Sequence, residues 1–149
     1  MLNFPKKVNS KVILVAPILL GFYLAIMLFL HGTILAFLFY RIDIRFTNEY
    51  PALTAFLLYI ATIPLAIILN KLLLKRGQSY DEKLTAGLSS NFAYNLTIAL
   101  LFGFGNGSIG ISFVILLVLS FFGFILAALI TILIEKVETM FLNYKSSQL

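Results

Sequence analysis

The 149-residue chain is 61% hydrophobic and only 11% charged, with a mean hydropathy of +1.03 and a net charge of +5. Soluble domains carry about 25% charged residues, and a soluble fold of this size cannot hide so much apolar surface, so lipid is the expected main solvent. The absence of cysteine removes disulfide, thiolate and iron–sulfur chemistry.

The first apolar span runs from about Val12 to Tyr40, behind Lys6, Lys7 and Lys11. It far exceeds a signal-peptide core, and no small-residue cleavage site follows, so it reads as a retained helix. Its length as helix is about 43 Å against a hydrocarbon core of about 30 Å. That mismatch calls for tilt, projection beyond the bilayer, or a kink near Pro17 and Gly21. The second span covers about residues 51–74. Pro51 suits a first helical turn, Pro64 should kink the interior, and Gly77 is the expected C-cap.

"SYDE", Ser79 to Glu82, fits a capping box and opens a third helix, about Tyr80 to Phe104. Its start is polar, so the membrane part is placed at about 85–104. The fourth span covers about 109–134, with an amphipathic extension to about Tyr144 and a frayed tail. The expectation is therefore a single all-α domain, a four-helix transmembrane bundle whose helices extend beyond the bilayer.

Gly105, Gly107 and Gly110 match the G-x-G-x-x-G spacing of dinucleotide-binding loops. That fingerprint needs a strand before it and an acidic residue about 20 positions on. Here an apolar helix precedes it, and the next acid, Glu135, lies beyond a hydrophobic span. The glycines read instead as the turn of a helical hairpin, with Asn106-Gly107 as its strongest signal. No nucleotide or other cofactor is expected.

Basic residues mark the cytoplasmic side. They cluster at the N-terminus and between spans two and three, at Lys71, Lys75, Arg76 and Lys83. Both termini are then cytoplasmic, in a bacterial inner or plasma membrane. The lipid bilayer is the first expected partner, and nucleic acid is excluded because no large basic surface stands free of it.

His31 is the one titratable group well inside a span, which makes it a functional candidate or a neutral packing residue. Asn91, Tyr94 and Asn95 form a polar group on the third helix, readable as interhelical glue or as the wall of an aqueous path. Arg41, Asp43, Arg45 and Glu49 form a charged cluster, readable as a solvated rim or as an entrance or docking site. Gly123, Ala127 and Thr131 stand four residues apart on the fourth helix, and Ala55, Tyr59, Thr62 and Ala66 make a similar set on the second. Small residues at this spacing let helices approach closely, within one chain or between copies.

The stretch "RFTNEYPAL", Arg45 to Leu53, faintly resembles the N-x-x-E-y-x-P region of the four-helix MAPEG family of glutathione and eicosanoid enzymes. Asn48 and Glu49 are adjacent where that family spaces them, and its glutathione-gripping basic residues have no counterpart, so no role is carried over.

The sequence holds no HExxH, P-loop or Ser–His–Asp set, and no paired intramembrane carboxylates. The expected function is a non-enzymatic membrane module that works by homo-oligomerisation or by anchoring a partner protein. Subunits of transport, immunity or phage-defence complexes work in this way. The alternatives are a small oligomeric ion channel or transporter and, behind it, an enzyme acting on lipid.

Overall fold

The computed structural model describes residues 10–30 and 51–146. They form four helices: α1 (Ser10–Leu30), α2 (Pro51–Leu74), α3 (Tyr80–Asn106) and α4 (Ile109–Ser146). No strand occurs among the described residues. Three helices are long and apolar enough to cross a membrane, through Ile13–Leu30, Ala55–Leu74 and Ile109–Ser146. The third is not, because Ser89, Ser90, Asn91, Asn95 and Thr97 dilute its apolar residues. Its place in the bundle explains this. α3 is the central helix, packed against α1, α2 and α4, so much of its surface meets protein instead of lipid.

α1 runs through Pro17 and Gly21 as one helix. Its continuation toward Tyr40, and with it His31 and the cluster of Arg41, Asp43, Arg45 and Glu49, lies outside the described residues. α2 begins at Pro51 as expected but does not end on Gly77. Lys75 takes the left-handed conformation, with φ of 51°, and its N–H closes back onto the Lys71 carbonyl at 3.1 Å. The turn needs one left-handed residue directly after Leu74, and Gly77 comes two positions too late. Ser79 then caps α3. Its side chain accepts from the Glu82 N–H at 3.3 Å, and its own N–H donates to the Glu82 carboxylate at 3.1 Å. The capping box read from the sequence is present.

The glycine motif lies on a helix–turn–helix link, not after a strand. Only Gly107 is the turn residue, with φ of 65°. Gly105 belongs to the last turn of α3 and Gly110 to the first turn of α4, because one left-handed residue suffices to reverse the chain. The Gly103 carbonyl receives the N–H groups of both Gly107 and Ser108. Ser108 caps α4 by accepting from the Ile111 N–H at 3.4 Å.

Two apolar clusters hold the helices together. Ala25, Tyr59 and Tyr94 join α1, α2 and α3, with Leu28, Ile98 and Leu126 packed around them. Ile63, Ile67 and Ala127 join α2 and α4, with Leu84 and Leu88 of α3 beside them. Gly123, Ala127 and Thr131 are buried inside this single chain. The fourth-helix stripe is thus an intramolecular packing face, and expected contacts between copies cannot use it without opening the bundle.

Candidate functional site: a polar seam and an ionic cluster along the central helix

α3 places its polar side chains on the face that meets α2. The Asn91 amide donates to the Tyr59 carbonyl and to Thr62 Oγ1, both at 3.1 Å. Asn95 donates to Asn91 Oδ1 at 3.0 Å. Ser90 donates to the Thr62 carbonyl at 3.2 Å, and the Tyr94 hydroxyl donates to the Ala55 carbonyl at 3.0 Å. From the other side, the Tyr59 hydroxyl donates to the Leu119 carbonyl of α4 at 2.9 Å.

The acceptors on α2 are the backbone carbonyls of Ala55, Tyr59 and Thr62, with Thr62 Oγ1. Of the residues grouped by spacing alone, Asn91 and Tyr94 bind α3 to α2, and Asn95 joins the seam through Asn91 on its own helix. Asn95 Oδ1 and Thr131 Oγ1 remain buried without a hydrogen-bond partner among the described residues.

Two turns toward the N-terminal end of α3, the chemistry changes from amide to ionic. The Lys83 side chain is 4% exposed, and its ammonium lies 3.4 Å from Glu135 and 2.8 Å from Glu138. Lys71 of α2 closes on the other Glu138 oxygen at 2.7 Å. Burial pulls the Lys83 ammonium down, but hydrogen bonding and charge from Glu138, then Glu135, outweigh it and hold it above the ordinary lysine value. Hydrogen bonds from Lys71 and Lys83 outweigh burial at Glu138 and hold its carboxyl below the usual range. A buried ion pair is weak evidence of net stabilisation, but removing one partner strands the other. The cluster therefore joins the ends of α2 and α3 to α4. Sequence inspection treated these charges only as topology signals, because the partners are 52 and 55 residues apart.

A groove of about 420 Å³ lies between α3 and α4, walled by Leu88, Phe92 and Phe124, with Asn91 and Gly123 at its base. The Ser120 hydroxyl in its wall is buried without a partner among the described residues. No group of three or more potential metal ligands occurs among the described residues. Comparison with protein-family models, curated proteins and solved structures finds no match to this chain.

Proposed function

We propose that this chain is a non-enzymatic, four-span integral membrane protein with both termini cytoplasmic, and that it acts by assembly with a partner protein or with copies of itself. The observation that carries the reading is the cytoplasmic end of α4. The helix has 38 residues, about 57 Å, nearly twice the hydrocarbon core of about 30 Å. Glu135, Lys136 and Glu138 mark where it leaves the lipid. Among and beyond them, Val137, Met140 and Phe141 share one side of the helix and are 38%, 57% and 71% exposed.

Apolar surface facing lipid costs nothing and argues for no partner. The same surface in water costs about 25 cal/mol per Å² and marks an interaction site. The seam also supports the reading. Asn91 and Tyr94 spend their donors on α2, and Asn95 spends its own on Asn91, which weighs against a wet path through one chain.

Native mass spectrometry from lipid nanodiscs tests the proposal. The full chain should emerge as more than one copy or with a constant second protein. Met140→Ser combined with Phe141→Ser should release that partner without lowering the unfolding temperature. A bare monomer refutes the reading. Ion flux through liposomes that is lost in Asn95→Leu would replace it with the channel alternative.

A further inference from the structure

We propose that α3 does not enter the membrane on its own and is held there by contacts already offered by α1, α2 and α4, so that the topology of the chain depends on its tertiary fold. The inference rests on the four-span reading. Among the described residues, α3 is the one helix of the four without a stretch long and apolar enough to cross a membrane. Its fully buried Asn91 would carry its amide donors unmet into hydrocarbon if the helix stood alone, whereas Ser90 and Asn95 also find the Gly87 carbonyl and the Asn91 carboxamide within α3.

In the folded chain these donors find the Tyr59 and Thr62 carbonyls, Thr62 Oγ1 and one another. The neighbouring helices are shaped to receive the seam. A Cβ at Gly21 of α1 would collide with the Ser90 carbonyl, and one at Gly123 of α4 would collide with the Asn91 carboxamide. α2 and α4 need no such help, since each is long and apolar enough to cross by itself. α3 thus crosses as the interior helix of a bundle, and its neighbours supply what lipid cannot.

The chain has no cysteine, so single-cysteine variants of the full protein report sidedness without background. Ile109→Cys, at a position 87% exposed beside the hairpin, and Ser146→Cys, at the end of α4, are labelled in intact cells with a membrane-impermeant maleimide. In the otherwise unchanged chain, the first should react from outside and the second only after lysis. Labelling of the first only after lysis would overturn the four-span reading itself and this inference with it.

Gly21→Leu with Gly123→Leu separates α1 and α4 from α3 without altering α3. In that background, the Ile109→Cys signal from outside should fall at least threefold, and Ser146→Cys should become reactive from outside. Adding Asn91→Leu and Asn95→Leu, which make α3 apolar enough to stand alone, should restore the original pattern. Unchanged labelling in the leucine pair, with the four-span pattern intact, would overturn the inference. A reversed pattern that Asn91→Leu and Asn95→Leu fail to restore would also overturn it.

Discussion

Replacing Gly123 by alanine opposes two effects of known sign. Alanine is a better helix former than glycine by about 1 kcal/mol, so the local contribution is stabilising. The new methyl group would occupy the place of the Asn91 carboxamide and lie 3.2 Å from the Tyr59 hydroxyl. Asn91 is held by bonds to the Tyr59 carbonyl and Thr62 Oγ1 and receives one from Asn95. Interhelical bonds of this kind contribute about 0.6 kcal/mol each in membranes, up to roughly 1.7. Leaving their buried partners unmet costs about 1–3 kcal/mol more. Displacing the amide therefore outweighs the helix gain, and Gly123→Ala should destabilise the fold by a net of about 2 kcal/mol.

The same substitution made in an Asn91→Ala background meets no amide. There it should be stabilising by up to about 1 kcal/mol, giving a coupling of roughly 3 kcal/mol between the two sites. Equilibrium unfolding in mixed micelles, followed by circular dichroism, measures all four corners of the cycle. Gly110→Ala is the control, because no atom lies within 4 Å of its added methyl. A Gly123→Ala protein more stable than the parent would refute the close approach of α4 to the seam.

Lys75→Gly should raise stability by about 1 kcal/mol in the same assay, since glycine removes the left-handed cost that lysine bears at φ of 51°. Ser79→Ala should lower it by about 1 kcal/mol through loss of the cap on α3, and an unchanged value would mean that the box contributes nothing. Thermal unfolding against pH reads the ionic cluster. The folded-state value of Glu138 is lowered, so its contribution is present above the unfolded value, about 4.3, and is lost as pH falls through the lower folded value. The folded-state value of Lys83 is raised, so its contribution is present below about 10.4 and is lost as pH rises through the higher folded value. Stability should be flat between these limits, and Glu138→Gln should remove most of the acid limb.

Much of the skeleton was legible because its signals are local. Pro51 and the Ser79–Glu82 box announce helix starts, and Asn106-Gly107 announces the hairpin, each within a few residues. The four-residue spacing of Gly123, Ala127 and Thr131 named a buried face without saying what covers it. The rest was hidden where long-range packing or local competition decides. Lys75 took the left-handed turn that a glycine two positions on had suggested. Lys83, counted as a cytoplasmic marker, is buried against carboxylates that only the bundle brings near. Ser90 and Asn91 bond carbonyls of another helix, which no side-chain pattern displays.

The two polar layers along α3 also set the vertical alignment of the helices. Lys83 and Asn91 are eight residues apart, about 12 Å along the axis. Each has its own counterparts, carboxylates on α4 for the first and the Tyr59 carbonyl and Thr62 hydroxyl on α2 for the second. Between them lies a layer of Ile63, Ile67 and Ala127 that accepts no polar group. Sliding α3 by one turn, about 5.4 Å, would push the ammonium into that apolar layer and strip the amide of its acceptors at once. Apolar surfaces in lipid tolerate many offsets with little difference in energy. Two unlike teeth at a fixed separation accept one, so the bundle works as a key with a single depth of entry.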